Sequence, residues 1–345
     1  MLARARRRHP ITFRSVHALD IFDLARVNLT SPAVLAFVLG ALSVAIRSDL
    51  RLPEAVYQFL SIYLLFAVGL KGGVALSAAS PGEVLGPAFA AIMLSAAIPL
   101  AAYPTVRLLG RLRIQDAASI AAHYGSVSVV TYTAAAAYLA RIGEPVEAFL
   151  PALLALMEMP GIIVALVIAQ WRLGTSSGLG EAVRETMTGR SVLLLGGGLI
   201  IGLLAGTDGV GPVRPLFVDL FAGVLVLFLL DLGISAAQRA RDVLRGGRFL
   251  VAFGITAPLV FGTVGAFTGT LVGLSPGGAT VLATLSASAS YIAAPAAVRI
   301  ALPEANPGLS LAAALAITFP FNLVVGIPVY HQVAQWLHRL PFLAG

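Results

Sequence analysis

Two short stretches of small, hydroxyl-bearing residues interrupt otherwise apolar parts of the chain. The first, AAHYGSVSVVTYT, covers residues 121–133, and the second, ATLSASASYIAAP, covers residues 283–295. Their serines correspond at a constant separation of 162 residues, Ser126 and Ser128 with Ser288 and Ser290. Apolar residues alone would make a better membrane helix. Two matched interruptions therefore indicate broken helices that meet at a binding site near the middle of a bilayer.

A break in a membrane helix exposes backbone groups that suit ions. The half-helix after the break presents free N–H groups and a positive dipole end to a small anion. The half-helix before it ends in carbonyl oxygens, which suit Na⁺. The candidate anion-binding residues are Gly125, Ser126, Ser128, Ser288, Ser290 and Tyr291. The alternative is close helix packing through small residues, with each serine bonded to its own backbone.

Glu158 is an ionisable residue well inside an apolar block, two residues before Pro160. Carboxylates inside a membrane are costly and usually face a polar interior, where they bind cations or relay protons. Its counterparts in the second half, Thr318 and Asn322, lie one turn apart on one helix face. The candidate sodium ligands are Thr131, Glu158, Ser286, Thr318 and Asn322. The alternative is a structural bond from Glu158 to carbonyls that Pro160 leaves free.

Lys71 and Asp231 are further charges inside apolar blocks. They lie on corresponding helices of the two halves of the chain, so we expect them to neutralise each other as a structural pair rather than to touch the substrate. His123 lies deep in another block. The five histidines show no metal-ligand spacing, so a structural or pore-lining His123 is favoured, and no metal beyond Na⁺ is predicted.

Glycines four residues apart predict helix contacts rather than phosphate loops. They are Gly198, Gly202 and Gly206 in one block, and Gly265, Gly269 and Gly273 in another. The sequence has no Gly-x-Ser-x-Gly, His-Glu-x-x-His or Walker motif, so no enzyme and no cofactor besides the coupling ion is predicted.

The composition places all these residues in a membrane. Of 345 residues, 58% are hydrophobic and 11% are charged, and a bundle of lipid-embedded helices needs that much apolar surface. The absence of cysteine excludes disulfides and thiolate metal sites. The net charge of +7 comes from arginines that separate apolar blocks, which favours contact with membrane lipid over binding of nucleic acid.

Ten apolar blocks are candidates to cross a membrane, although the first and sixth are short. The blocks cover residues 32–47, 53–79, 86–110, 116–140, 146–172, 189–206, 214–238, 248–273, 276–302 and 306–337. FAVGL at 66–70 matches FLLDL at 228–232, again 162 residues apart. Five spans in each half would invert the second repeat relative to the first. We therefore predict a basic tail (1–30), a first repeat (31–172), a short loop (173–188) and a second repeat (189–340).

The arginines predict the orientation. Thirteen lie in the loops that follow odd-numbered spans, and nine lie in the N-terminal tail, the opposite loops and the C-terminus. By the positive-inside rule the first set is cytoplasmic. Both termini are then outside a plasma (inner) membrane, and the loop between the repeats is inside.

Several motifs resemble the sodium-dependent bicarbonate transporters, the SbtA-type permeases. They are Gly69-Leu-Lys-Gly-Gly-Val74, His123-Tyr-Gly-Ser-Val-Ser128, Glu158-Met-Pro160, Ser286-Ala-Ser-Ala-Ser-Tyr-Ile-Ala-Ala-Pro295, and Arg299 with Pro303-Glu-Ala-Asn-Pro307. The resemblance implies an all-α membrane protein of ten helices in two inverted repeats. It also implies broken, crossing spans 4 and 9, a gate domain of spans 1, 2, 6 and 7, and a core of the other six. A homotrimer and regulation by a PII-like protein are further family expectations. Tyr291 stands where better-known members carry Asp.

The predicted function is Na⁺-coupled symport of a small anion, with bicarbonate favoured, by movement of the core domain against the gate domain. A sodium–proton exchanger of related design is one alternative, but it requires a carboxylate at the crossing, and neither serine patch has one. An anion channel or a membrane scaffold is the alternative from a different class.

Overall fold

The computed structural model describes Arg26 and residues 28–174 and 178–341, and this part of the chain is helical without strands. Seven of its helices are long and apolar enough to cross a membrane. These are α2 (Glu54–Ala78), α3 (Pro81–Leu109), α6 (Leu150–Leu173), α8 (Arg190–Val213), α9 (Phe221–Ala240), α10 (Gly247–Leu271) and α13 (Pro307–His338). A shorter apolar helix, α1, covers Pro32–Ala45. The tail predicted at 1–30 lies outside the described residues except for Arg26 and 28–30.

Two predicted spans are broken at the serine patches. The first consists of α4 (Ile114–Gly125) and α5 (Val129–Ile142), with Ser126 and Ser128 in extended conformation between them. The second consists of α11 (Pro276–Ser286) and α12 (Ala293–Ala301). The interruptions predicted from the serine spacing are therefore present in the backbone.

The boundary between α9 and α10 differs from the prediction. The apolar blocks at 214–238 and 248–273 form one continuous helical path, kinked where Gly247 takes a positive φ of 69°. Only glycine adopts that conformation without strain. The polar loop predicted at 173–188 contains a short helix, α7 (Leu179–Thr188).

Helices α1 and α9 approach closely because each offers a glycine to the other. A Cβ at Gly40 would collide with the carbonyl oxygen of Leu230, and one at Gly233 would collide with that of Phe37. This reciprocal arrangement leaves no space for a side chain at either position.

Helices α2 and α8 make the same kind of contact. A Cβ at Gly73 would collide with the carbonyl oxygen of Leu199, while Gly198 and Gly202 face the backbone of α2. The helix contacts predicted at Gly198 and Gly202 are thus confirmed. The one predicted at Gly206 is wrong, because this residue takes a positive φ of 61° at a kink in α8.

The second glycine stripe behaves in a similar way. Gly265 and Gly269 of α10 lie against Ala283 and Ala279 of α11, as predicted for helix contacts. Gly273 instead follows the end of α10 with a φ of 80° and has open space around it, so its role is to end the helix.

The other helices enclose an alanine-rich hydrophobic core. Most of its buried members come from α3, α4, α6, α10, α12 and α13, and small side chains there allow close packing of the helices. Helix α13 widens into π-helical turns at Ala312–Thr318 and Asn322–Gly326, on either side of Pro320. Such turns recur at functional sites, and here they carry Thr318 and Asn322.

A candidate ion site where two broken helices meet

The second half-helix of each broken span begins with a serine cap. Ser128 accepts a hydrogen bond from the backbone N–H of Thr131 at 3.2 Å. Ser290 accepts hydrogen bonds from the N–H groups of Ala293 and Ala294 at 3.2 and 3.3 Å. Serine is a favoured cap because its hydroxyl satisfies first-turn N–H groups that have no partner within the helix. The matched serines therefore both bind first-turn N–H groups, although Ser128 directly precedes α5 and Ser290 lies three residues before α12.

The two breaks also touch each other. The N–H of Ser128 donates to the hydroxyl of Ser288 at 3.0 Å, and the N–H of Ser290 donates to the carbonyl oxygen of His123 at 2.8 Å. The hydroxyl of Ser128 lies 3.3 Å from that of Tyr291. The structure thus brings together most of the predicted anion-binding residues in one small region.

The four matched serines of the two patches are at most 4% exposed. Their hydroxyls bond to backbone groups or to Tyr291, as the packing alternative requires. The same bonds place Ser128 and Ser290 on first-turn N–H groups, which are the groups that a bound anion would use. The geometry is therefore compatible with a helix contact and with an anion site.

Gly125 and Ser126 contact the middle of α6. The hydroxyl of Ser126 donates to the carbonyl oxygen of Glu158 at 2.8 Å. A Cβ at Gly125 would lie 2.9 Å from the Cα of Gly161, so a glycine is required there for packing. Gly125 consequently holds the break against α6, whether or not it also contacts an ion.

Ser95 of α3 belongs to the same region, and the sequence analysis missed it. Its hydroxyl lies 2.8 Å from the carbonyl oxygen of Gly125 and 2.9 Å from that of Met157, and it accepts from the N–H of Gly161 at 3.0 Å. The available signal was a lone serine in an apolar block. Many membrane helices carry such a serine bonded to its own backbone, so the signal was weak.

Glu158 is 2% exposed, and its Oε2 atom has no hydrogen-bond partner among the described residues. The side chain of Ser191, at the start of α8, interacts with the carboxyl group. The structure thus places an unsatisfied carboxyl oxygen beside the first break. A buried polar atom of this kind calls for an explanation, and a bound cation would supply one.

Helix α13 contacts both breaks through its two predicted sodium ligands. Thr318 lies 2.5 Å from the hydroxyl of Tyr124, next to the first break, and donates to the carbonyl oxygen of Gly254 at 2.8 Å. Asn322 donates to the carbonyl oxygen of Ala287 at the second break, also at 2.8 Å. Its side-chain oxygen accepts from Tyr330 at 2.7 Å.

The other two predicted sodium ligands are buried at the breaks. Thr131 lies in the first turn of α5, where its N–H binds the Ser128 cap. The hydroxyl of Ser286 donates to the carbonyl oxygen of Leu282 in its own helix at 2.9 Å. The five predicted ligands therefore lie around both breaks rather than at one of them.

The structure does not pair Lys71 with Asp231. The Nζ atom of Lys71 lies 3.3 Å from the ring centroid of Phe221, a cation–π contact. Asp231 is ten residues further along the same helix as Phe221, about 15 Å along its axis. It lines a cavity with Arg51 and Arg239 instead. The predicted neutralisation is wrong, because residues on corresponding helices of two halves are not necessarily neighbours in space.

Three cavities reach the region of the second break. One, of about 510 Å³, is lined by Tyr291, Asp231, Arg51 and Arg239. A second, of about 300 Å³, is lined by Ser191, Arg190 and Ile292. The third, of about 580 Å³, is lined by His123, Ile292 and Arg299. The first and third share Leu311, and the second and third share Ile292 and Ala296, so they lie next to one another.

One protein-family model matches most of the chain. A family model described as the Na⁺-dependent bicarbonate transporter superfamily matches residues 32–335. No curated protein matches the chain. The matched range includes both breaks, all of the predicted ion ligands and the three cavities.

Proposed function

Because the chain belongs to the Na⁺-dependent bicarbonate transporter superfamily, we propose that it is a secondary transporter that carries bicarbonate together with Na⁺ across a membrane. The observation that carries this proposal is the contact between two serine-capped half-helices, in which Ser128 binds Ser288. Two helix starts at one place combine their positive ends, and that combination suits a single small anion.

In this proposal bicarbonate binds to the starts of α5 and α12. Its oxygens accept hydrogen bonds from the first-turn N–H groups, which in the structure donate to the hydroxyls of Ser128 and Ser290. Na⁺ binds nearby, where carbonyl oxygens at the breaks combine with the oxygens of Glu158, Thr318 and Asn322. Hard oxygen ligands of this kind suit an alkali cation, and the cation offsets the charge of the anion in a medium of low dielectric constant.

The architecture we propose has ten spans. The seven long helices, α1 and the two broken helices would form two inverted five-span repeats. The glycine-mediated contacts of α1 with α9 and of α2 with α8 support a rigid gate domain of these four helices. Transport would then occur by movement of the remaining six spans against the gate.

The cavities suggest which side is open. Arg51, Arg239 and Arg299 line two of them, and the positive-inside rule assigns these arginines to the cytoplasm. We therefore propose that the structure represents a state that faces inward, in the inner membrane, with both termini outside. A homotrimer surrounded by lipid and control by a PII-like protein remain parts of the proposal that rest on the family alone.

The direct test is uptake of radiolabelled bicarbonate into proteoliposomes that contain the purified protein. An inward Na⁺ gradient should drive accumulation above equilibrium, and an equal K⁺ gradient should not. Uptake that ignores Na⁺, or that only equilibrates the label at a rate far above carrier turnover, would instead indicate a channel. Na⁺ entry coupled to proton exit without bicarbonate would indicate the exchanger.

A further inference from the structure

His123 presents one unused ring nitrogen. Its Nδ1 atom lies 2.7 Å from the carbonyl oxygen of Ser119, one turn earlier in α4. A carbonyl can only accept, so Nδ1 carries the proton, and Nε2 of the neutral ring is left with an acceptor lone pair. The side chain is 1% exposed, and Nε2 has no hydrogen-bond partner among the described residues. This lone pair is therefore a buried acceptor that the described part of the chain leaves unused.

The third cavity described above lies beside His123. Arg299 is the only charged side chain that lines it in the described part of the chain, and the other lining residues are mostly apolar. No ion pair of Arg299 is found among the described residues. The cavity adjoins the crossing, because its lining residue His123 accepts the N–H of Ser290 through its backbone carbonyl oxygen. Its volume of about 580 Å³ leaves room for a small anion with water.

We propose that this cavity is a second anion subsite, selective for an oxyanion that carries one proton, in which Arg299 holds the charged oxygens and Nε2 of His123 accepts the hydroxyl group. The inference rests on the proposed function and adds to it the basis of selection between anions. Bicarbonate has both features, a charged carboxylate and an O–H donor. Nitrate is also planar and has one negative charge, but it has no proton to donate.

The selectivity follows from the polarity of the two groups. Any anion gains from the guanidinium, which offers several donors in a plane. A fully deprotonated anion would place oxygen lone pairs against the lone pair of Nε2, and that contact is repulsive and leaves a buried acceptor unsatisfied. Sites that require a substrate hydroxyl reject analogues without it more strongly than sites that select by size.

The simpler role for His123 is structural, through its bond to Ser119. Two variants separate these roles, because the side-chain amide of Asn can replace Nδ1 and that of Gln can replace Nε2. If the subsite exists, His123→Gln keeps an acceptor near the position of Nε2, whereas His123→Asn loses it. If the role is structural, His123→Asn keeps the bond to Ser119 and His123→Gln loses it. The backbone link to Ser290 is the same in both variants.

The experiment measures apparent dissociation constants for bicarbonate and nitrate in detergent at fixed Na⁺, from the ligand-dependent shift in melting temperature. We expect His123→Asn to bind bicarbonate about tenfold more weakly and nitrate no more weakly than wild type. His123→Gln should retain a clear preference for bicarbonate. Equal loss for both anions in His123→Asn, or a preference lost only in His123→Gln, overturns the proposal.

A matched control comes from His338. Its Nδ1 atom also lies 2.7 Å from the carbonyl oxygen one turn earlier, that of Ala334, but its Nε2 lies 2.8 Å from the carbonyl oxygen of Leu274. His338 does not line the cavity. His338→Asn should therefore change melting temperature without changing the preference between the two anions. A changed preference in this variant would mean that the measurement reports stability rather than binding.

Arg299 provides a test that does not depend on the folding of the histidine variants. Arg299→Gln should weaken both anions about tenfold, and Arg299→Lys should weaken them less, because the charge is kept. Unchanged affinity in Arg299→Gln contradicts the subsite. Failure of the proposed function looks different, since wild-type protein would then show no Na⁺-driven bicarbonate uptake, whatever the behaviour of these variants.

Discussion

The backbone N–H of Ser128 donates a hydrogen bond to the hydroxyl of Ser288 over 3.0 Å, so the two broken helices are joined at the residues whose repetition marks them in the sequence. Each break thus provides a hydrogen-bond acceptor for a backbone N–H group of the other. A change at one serine should be felt at both helix starts, and this coupling makes the crossing open to a quantitative test.

Ser128→Ala and Ser290→Ala should each weaken bicarbonate binding by about ten- to a hundredfold, the equivalent of one hydrogen bond to a charged ligand. Each should also cost about 1 kcal/mol of stability, because each serine caps a helix. The double variant should be non-additive, since both residues act on one ion. Apparent bicarbonate affinity and melting temperature of the three proteins provide the measurement.

Ser31 and Ser275 supply the control for that series. Ser31 caps α1 by accepting from Val34 at 3.2 Å, and Ser275 caps α11 by accepting from Gly278 at 3.0 Å. Alanine at either position should reduce stability to a similar extent and leave bicarbonate affinity unchanged. If Ser128→Ala behaves like Ser31→Ala, the crossing is only a helix contact and the anion binds elsewhere.

Glu158→Gln should raise the Na⁺ concentration for half-maximal uptake, because it replaces a carboxyl group that can bind a cation through both oxygens by an amide, at a buried site beside the first break. The folded protein should remain in the membrane, as glutamine has nearly the same shape. Glu144→Gln, a change at a half-buried carboxylate beyond the far end of α5, should leave Na⁺ dependence as in wild type. Unchanged Na⁺ dependence in Glu158→Gln would make this carboxyl structural.

Lys71 and Asp231 should behave as independent residues. The free-energy costs of Lys71→Met and Asp231→Asn, measured by thermal unfolding in detergent, should add in the double variant to within about 0.5 kcal/mol. Lys71→Met and Phe221→Leu should instead couple by about 0.5–2 kcal/mol, because the ammonium group lies over that ring. If Asp231→Asn recovered the stability that Lys71→Met loses, the two residues would interact as a charge pair. That result would contradict the observed geometry.

Gly73→Ala should destabilise the protein by at least about 1–3 kcal/mol, because a Cβ there collides with the backbone of α8. Gly196→Ala, in α8 itself, meets nothing within 4 Å and should be neutral or stabilising by up to about 1 kcal/mol. Melting temperatures of the two variants give the comparison. Equal tolerance at both positions would show that α2 and α8 are not in close contact.

The helix breaks were predictable because a patch of small polar residues is unusual in an apolar segment. A second copy at a constant separation makes a chance occurrence improbable and favours a common structural role. The contacts made by Ser95 and Ser191 were not predictable. A single hydroxyl in a membrane helix normally bonds to its own backbone, and only the packing of α3 and α8 against the first break gives these two another partner.

The pairing of Lys71 with Asp231 failed for a related reason. A repeat relates positions by symmetry, and symmetry specifies equivalent surroundings rather than contact. Lys71 and Asp231 both lie on helices that pack through glycines, but the reciprocal glycine contacts of these helices join α2 to α8 and α1 to α9. The glycine spacing can be read from the sequence. Which helix packs against those glycines cannot, because it depends on the packing of the whole bundle.

In the proposed transport cycle, the serine caps at the crossing would also affect how the protein returns without cargo. A carrier must reorient empty in every cycle, and an anion site stripped of its ligand would leave bare N–H groups in a medium of low dielectric constant. Here the hydroxyls of Ser128, Ser288 and Ser290 occupy those groups when the anion is absent. The first-turn N–H groups at the crossing are thus satisfied without a ligand, and in the proposed cycle the anion would bind by exchange with the hydroxyls. This exchange would lower the affinity for the anion and ease the return of the empty protein.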